Sequence, residues 1–406
     1  MRTVPSPLPV APVEHRAGTW TVPEDGLASR AARARGSGPY EATLPAVLAG
    51  RAPYAPTLPS DLAADVADAE NALTAFDAHA IARLGADDPA LGPMSSILLR
   101  TESASSSQIE DLTVGARQLA LAEIDESRSA NARTVVANVR TMEAALRLAD
   151  RLDLEAVLAL HAELLVGSAG AGSLRRQLVW AGRSGLSPLG AVHVAPEAED
   201  VPAAMRDLLA FLERDDLPIL LHAAIAHAQF ETIHPFTDGN GRTGRALAHA
   251  MLRGKGLLTT TAPVSAGLLT ELSAYTDALT AYRAGDARPI VEEFARAARY
   301  AAATGTRLVD ALSAQLAEDR ERLRGVRRHA LAWRVLPLLI GQPIVTARHL
   351  QQVLDVPAMT AQRALAQLTD AGVLQEATGR TRNRVWQHAG VLALLDDYAA
   401  EVRRAG

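Results

Sequence analysis

Residues 234–245 read HPFTDGNGRTGR, and the reading of the whole chain turns on them. Pro235 disfavours helical backbone at His234, so a helix arriving from the N-terminal side leaves off there. That helix is legible upstream in LHAAIAHAQFETI, residues 221–233. Leu221, Ile225 and Ile233 share one i, i+4 row whose only polar member is Gln229, which predicts a largely buried helix. Gly239 and Gly241 open backbone angles closed to other residues, so successive N–H groups can converge on an anion. From Arg242, RTGRALAHAMLRG predicts a second helix ending near Gly254 or Gly256. A glycine loop at a helix N-terminus favours phosphate through its N–H groups and the helix dipole. Arg242 and Arg245 lie on one helical face and can fork onto phosphate oxygens. Asp238 offers a hard oxygen to Mg²⁺, and His234 is placed to take a proton from an incoming hydroxyl. Singly, a histidine after an apolar helix is a packing residue and an Asn-Gly pair is a turn. In this order they compose a phosphate-handling site. His222, His227 and His249 fall inside helices with no metal-ligand partner and are read as packing or helix-surface residues.

The chain of 406 residues is long enough for two to three domains with real cores. Its 48% hydrophobic and 21% charged residues are those of a soluble globular protein. The net charge of −5 gives no overall basic field for nucleic acid. Lys255 is the only lysine. With no cysteine there is no disulfide, no thiolate metal site and no Cys nucleophile. No apolar stretch approaches a transmembrane span, and the expected setting is the bacterial cytoplasm.

The expected fold is mostly α. Residues 1–37, rich in Pro, Ala, Gly and Arg, read as a flexible arm. Amphipathic periodicity predicts helices from Asp61 to Leu84, Met94 to Leu112, Ala130 to Leu152 and from Leu154 to Leu165. Residues 174–195 (LRRQLVWAGRSGLSPLGAVHVA) break the helical period. Leu178 to Trp180 and Ala191 to Val194 predict two short strands joined through Gly182 to Gly190. A charged helical stretch from Arg307 to Arg328 leads to a last block. There Thr346–Leu354, a turn at Asp355-Val356-Pro357, a helix over Ala358–Ala371 and two strands around a Gly-Arg loop predict a winged helix-turn-helix. Gly372 is the C-cap candidate. Arg380, Arg382 and Arg384 would alternate onto one face of the wing. Eight Arg against six acids in residues 331–406 make a weak footprint for DNA, so a protein-contact or dimerisation role is favoured there.

The twelve-residue run resembles the signature of the Fic (Fido) family, HPFx[D/E]GNGRxxR, at His234, Pro235, Phe236, Asp238, Gly239, Asn240, Gly241, Arg242 and Arg245. The resemblance implies a Fic-type helical core with a β-hairpin flap, and Ser187, Pro188, Leu189, Gly190 and Ala191 look like part of that flap. It implies the following organisation: arm 1–37, N-terminal helical module 38–150, Fic core 151–300, helical linker 301–329 and winged helix 330–406. It further implies ATP as substrate and Mg²⁺ on Asp238. Nucleotide contacts would come from Gly239, Asn240, Gly241, Arg242, Thr243, Gly244 and Arg245, together with the flap. Tyr275 resembles the first of a tyrosine pair that contacts adenine or ribose; the second member is Thr276 here, and a core-packing role for Tyr275 stands beside it.

SSQIE, ending at Glu110, resembles the family's inhibitory motif, with Ser106 at its head and Asp111 where Gly or Asn is usual. The implied role of Glu110 is to pair with Arg245. The alternative is a helix start, with Ser106 or Ser107 as N-cap and Glu110 in the first turn. The activity implied is AMP transfer from ATP to a Tyr, Ser or Thr hydroxyl of a protein, self-modification and a homodimer being compatible with it. Gly241 fits that branch, since the phosphate-transferring branch usually has Lys there. The competing function is a DNA-binding regulator whose Fic core only senses nucleotide; an intact His234 discriminates against it, because binding alone needs no base.

Overall fold

The computed structural model describes residues 5–24, 29–84, 88–182, 184–377 and 384–405. In chain order the elements begin with β1 (Glu14–Trp20), α1 (Arg30–Gly36), β2 (Gly38–Leu44), α2 (Ser60–Leu84), α3 (Leu91–Ile109) and α4 (Ala116–Glu123). Next come α5 (Ala130–Arg147), α6 (Leu154–Leu164), β3 (Trp180–Ala181), β4 (His193–Val194), α7 (Val201–Leu212), α8 (Ile219–Ile233) and α9 (Asn240–Gly254). The chain continues through α10 (Val264–Leu269), α11 (Leu272–Arg283) and α12 (Arg288–Arg322). It closes with α13 (Leu331–Gly341), β5 (Ile344–Thr346), α14 (Ala347–Leu354), α15 (Ala358–Asp370), β6 (Gln375–Glu376), β7 (Val385–Gln387) and α16 (Ala389–Ala405). Among the described residues no helix is long and apolar enough to cross a membrane.

Two compact units result, each discontinuous in sequence. The first takes residues 1–68, 144–256 and 273–295; the second takes 69–143, 257–272 and 296–406. Helices α2, α5 and α12 each run through a boundary between the two units.

In the first unit, α8 and α9 form the central pair, and α6 and α7 pack around them. Every residue of α8 from Leu220 to Ile233 is buried, which explains a helix without a polar face. His222 is buried and bonded to the Phe211 carbonyl at 2.8 Å. Its ring meets Phe211 edge-on at 4.6 Å. His227 and His249 are buried too, so all three histidines pack as expected. The N-terminal segment departs from the flexible arm read from sequence. β1 and β2 pair antiparallel from Glu14 opposite Leu44 to Trp20 opposite Gly38. The single Gly18 admits the Tyr40 ring, which a Cβ there would meet at 2.5 Å. Side chains of mixed character along EHRAGTW hide the strand period, and pairing with residues 38–44 supplies what local propensity does not.

The second unit is organised on α3, against which α10 and α13 pack. Several of its buried polar groups are matched. Glu102 accepts from the Ser265 N–H at 2.8 Å and from the Ser265 hydroxyl. Asn138 donates to the Ser103 carbonyl at 2.8 Å and to the Ser107 hydroxyl at 3.1 Å. The terminal block forms an antiparallel sheet in the order β5-β7-β6, accompanied by α13 to α16. Thr346 caps α14 through the His349 N–H at 3.0 Å. Gly372 takes the left-handed turn after α15, with φ of 72°. Arg380 and Arg382 lie outside the described residues. Arg384 bonds Glu376 and stacks on Trp386 at 4.8 Å.

At the end of α9 the backbone runs so close to Ala149 that a Cβ on Gly254 would lie 2.2 Å from its carbonyl oxygen. Gly92, in the first turn of α3, faces open space. We expect Gly254→Ala to cost about 3 kcal/mol by overpacking against backbone. Gly92→Ala should be neutral or stabilise by up to about 1 kcal/mol. Urea unfolding of the two variants checks this, and equal stabilities would contradict the close approach.

Candidate functional site

Six residues, 234–239, connect α8 to α9. His234 ends α8 in the left-handed conformation, φ 49° and ψ 62°, its N–H still bonded to the Phe230 carbonyl at 2.8 Å. A non-glycine residue there is uncommon, and Pro235 closes the ordinary helical alternative. Phe236 is fully buried. The Asn240 side chain clips it: Oδ1 accepts from the Phe236 N–H and Nδ2 donates to the Phe236 carbonyl, both at 2.9 Å. Gly239 then turns left-handed, φ 75°, as the N-cap of α9. The first main-chain bond of α9 is Thr243 N–H to the Gly239 carbonyl, 3.0 Å. The N–H groups of Asn240, Gly241 and Arg242 therefore stand in the helix's first turn, before any intrahelical acceptor.

Three side chains outside the signature hold this loop. Arg175, buried, donates to the carbonyls of His234 at 2.8 Å, Gln177 at 2.9 Å, Pro196 at 2.6 Å and Ile233 at 3.3 Å. Its own N–H reaches the Pro235 carbonyl at 3.0 Å. Burial lowers the guanidinium to about 10, so it stays charged at neutral pH. His161 of α6 accepts the Gly172 N–H on Nδ1 at 3.0 Å, which puts its proton on Nε2, donated to the Asp238 carbonyl at 3.0 Å. The ring stacks flat on Phe236, centroids 3.7 Å apart, and burial lowers its pKa. His193 of the flap bonds the Thr232 carbonyl at 3.0 Å. Burial, with the nearby charges of Arg283 and His234, pushes it down to about 2, so it is a neutral strut.

The functional groups sit on this frame. His234 Nδ1 lies 3.7 Å from Glu231 Oε2, and the imidazole is 27% exposed. Asp238 is 69% exposed; its Oδ1 lies 3.5 Å from an Arg242 guanidinium nitrogen and accepts the Gly239 N–H at 2.6 Å. Arg242 and Arg245 are both buried. The flap is present with shorter strands than the sequence suggests: Trp180 pairs Val194 and Ala181 pairs His193. Bonds from Val192 N–H to Ala181 and from Ala195 N–H to Val179 prolong the ladder. Pro188, Leu189, Gly190 and Ala191 form its turn, with Ser187 just before it. Gly190 supplies φ 74°, and the Pro188 carbonyl accepts the Ala191 N–H at 3.0 Å, as a type II turn requires. Ser187 ties that turn to α1, donating to the Gly36 carbonyl at 2.6 Å.

The remaining candidate residues are placed as follows. Thr243 is fully buried, with its N–H inside the helix ladder. Gly244 faces α8, where a Cβ would meet Phe230 at 2.9 Å; it serves helix packing. Tyr275 is buried and its hydroxyl bonds His227 at 2.6 Å, which is the packing role. The Asn240 carboxamide is engaged with Phe236, which leaves its main-chain N–H in the first turn of α9 for a ligand. Ser106 and Ser107 lie in the last turns of α3, and Glu110 is its exposed C-cap. The helix-start alternative for that segment is therefore excluded. Arg175, His161 and Glu231 were not singled out from sequence; only Glu231, three residues before His234, carried a spacing cue.

Among the described residues no three His, Cys, Asp or Glu side chains gather as a metal cage. One exposed carboxylate beside a first-turn array of N–H groups still fits Mg²⁺, which binds through one or two carboxylates plus substrate phosphates. The Arg175 fork yields a test. A lysine keeps the charge but cannot span four carbonyls, and stranded buried acceptors cost about 1–3 kcal/mol each. Arg175→Lys should lose roughly 3 kcal/mol in urea unfolding; an unchanged midpoint would remove Arg175 from this support.

Residues 151–252 match the model of the Fic/DOC family. The chain is 31% identical over 150 residues to the protein adenylyltransferase fic-1 of Caenorhabditis elegans, covering 36% of this chain and 27% of that protein. It is 36% identical over 108 residues to the protein adenylyltransferase Fic of Nematostella vectensis, covering 26% and 24%. The chain thus spans about a quarter of the length of these curated relatives. A crystal structure of a Fic family protein from Desulfovibrio desulfuricans superposes with a TM-score of 0.52 at 24% identity, over 82% of this chain and 97% of that one, which is a likeness of fold. The whole HPFTDGNGRTGR loop lies inside the stretch that matches the Fic/DOC family model.

Proposed function

We propose that the chain transfers AMP from ATP to a Tyr, Ser or Thr hydroxyl of a protein. The observation that carries this is the placing of His234, an imidazole held in the left-handed conformation at the exit of α8, six residues before the first turn of α9. Nucleotide binding alone would need the turn but not the histidine. His234 takes the hydroxyl proton on Nε2 as the oxygen attacks the α-phosphorus. The bond from the α-phosphorus to the bridging oxygen breaks, and pyrophosphate leaves. The N–H groups of Asn240, Gly241 and Arg242 hold phosphate oxygens, and the guanidiniums of Arg242 and Arg245 take the β- and γ-phosphates. Asp238 would hold Mg²⁺, which when bound supplies positive charge between the phosphates. Catalysis of this kind is mostly positioning and charge stabilisation, which suits a loop so fully tied to its frame. The relatives' name, protein adenylyltransferase, supports the same activity.

Autoinhibition through Glu110 is part of the proposal. It rests on the SSQIE sequence and on α3 ending with Glu110 as an exposed cap. The left-handed Asp111 that follows, φ 60°, occupies the place where Gly or Asn is usual and where either adopts that angle readily. The helices and three-stranded sheet of the terminal block support a winged-helix reading. Because Arg384 is engaged by Glu376 and Trp386, we assign that block to protein contact or homodimerisation in preference to DNA.

Two measurements test this. Purified protein incubated with α-labelled ATP and Mg²⁺ should label itself or a lysate protein, and His234→Ala should reduce labelling about 10²–10⁴-fold with ATP affinity retained. Wild-type turnover in a folded His234→Ala protein would end the mechanism. Glu110→Gly should raise labelling at least about tenfold, equivalent to roughly 1.4 kcal/mol, and adding Arg245→Ala should silence it again. A Glu110→Gly protein no faster than wild type would show that this segment does not inhibit.

A further inference from the structure

Helix α8 is buried from Leu220 to Ile233 and holds one acid, Glu231. The place is unfavourable for a carboxylate on two counts. The side chain is only 10% exposed, and an anion taken out of water is costly unless it is paired. It also stands in the last turn of the helix, where the dipole disfavours negative charge. Space is nevertheless made for it: a Cβ on Gly244 of α9 would lie 3.3 Å from Glu231 Oε1.

What the carboxylate meets is basic. Its Oε2 lies 3.7 Å from His234 Nδ1, and its charge reaches Arg283 of α11, where burial lowers the guanidinium and Glu231 opposes the shift. The other charged or titratable groups around His234 are engaged differently. His193 of β4 is neutral by burial. Arg175 forks onto main-chain carbonyls, that of His234 included. Arg242 and Arg245 of α9 are buried. Asp238 faces the Gly239 N–H and Arg242. Glu231 is the carboxylate on the Nδ1 side of the ring. At 3.7 Å the contact is longer than a hydrogen bond but within ion-pair reach, and such contacts commonly tighten when substrate binds.

We propose that Glu231 is the positioning residue of the base: it holds the His234 proton on Nδ1, leaves Nε2 bare toward the incoming hydroxyl, and stabilises the imidazolium that forms. The proposal rests on the transferase reading and deepens it. The partner of one ring nitrogen decides which nitrogen carries the proton. With Nδ1–H turned to Glu231, the hydroxyl proton passes to Nε2 as the oxygen bonds to the α-phosphorus and pyrophosphate leaves. The cation then carries a proton on each nitrogen beside a carboxylate, and Nε2 returns its proton to water. Glu231 touches neither substrate nor reacting atom; it acts through the ring.

The test uses the full chain, with labelled histidines observed by NMR and His234 assigned by its loss in His234→Ala. In the wild type above its titration, the ¹⁵N shifts should show the proton on Nδ1 and a bare Nε2. In Glu231→Gln the neighbouring anion is gone, the imidazolium is less favoured, and His234 should titrate about one pH unit lower. Glu231→Asp keeps the charge and should titrate nearer to wild type. With α-labelled ATP and Mg²⁺, Glu231→Gln should lower kcat at least about tenfold, short of the loss expected on removing the base itself, and leave KM for ATP unchanged. A proton found on Nε2 in the wild type overturns the proposal, and that measurement depends on no Glu231 variant folding. An unmoved His234 titration in folded Glu231→Gln also overturns it, leaving Glu231 as a counter-ion of Arg283. A rise in KM for ATP with kcat unchanged does the same, since the carboxylate would then shape the nucleotide site. The NMR readings need no turnover, so an absence of AMP transfer refutes the transferase reading without touching them.

Discussion

Two hydrogen bonds between one carboxamide and the backbone of one residue set the shape of the site. Asn240 closes on both polar groups of Phe236, turning five residues into a small ring of fixed form. Once that ring is closed, Phe236 must enter the core, where it meets His161 and Phe230. The chain on either side then has little choice. His234 is delivered at the end of one helix, six residues before the next helix begins. An aspartate would accept from the Phe236 N–H but could not donate to its carbonyl, which is a physical reason for a neutral amide at this position.

Charge is distributed so that little of it is near the loop without reason. The histidines beneath it are neutral, His193 and His161 by burial. Arg175 is charged but surrounded by carbonyl oxygens, whose dipoles solvate it. The charge that remains is the Asp238 carboxylate at the surface and the buried guanidiniums of Arg242 and Arg245 on α9. A triphosphate would therefore meet positive groups and oriented N–H dipoles that are already fixed, with little reorganisation to pay for.

Much of the loop between α8 and α9 was legible because its residues act through short-range rules. Pro235 ends α8 at His234, Gly239 takes the positive φ that starts α9, and the long amphipathic pattern after Asp61 became α2 with almost the bounds expected. What was hidden depends on partners far away in the chain. Arg175 is one arginine among forty, and nothing local tells which of them will be buried against the carbonyls of residues 233 and 234. His161 reads as another helix residue until Asp238 is brought to it. Thr243, Gly244 and Tyr275 lie at signature or signature-like positions, yet packing against α8 decides their environment. The hairpin of β1 and β2 was hidden for the same reason: strand propensity is weak in EHRAGTW, and only its pairing makes it a strand.

The first unit is tied across nearly its whole length. The Leu8 N–H is bonded to the Asp286 carboxylate, 278 residues on, and the Arg288 guanidinium reaches back to the Ser6 carbonyl. During synthesis at roughly 5–20 residues per second, the α8–α9 pair emerges while α11 is still unmade. The segments that close the unit arrive only with residues 273–295. Such contacts are slow to find because their loops are long. A nascent chain can thus hold the whole 234–239 loop without a finished scaffold around it, and the frame of the site is completed late, when the distant ends of the unit have met.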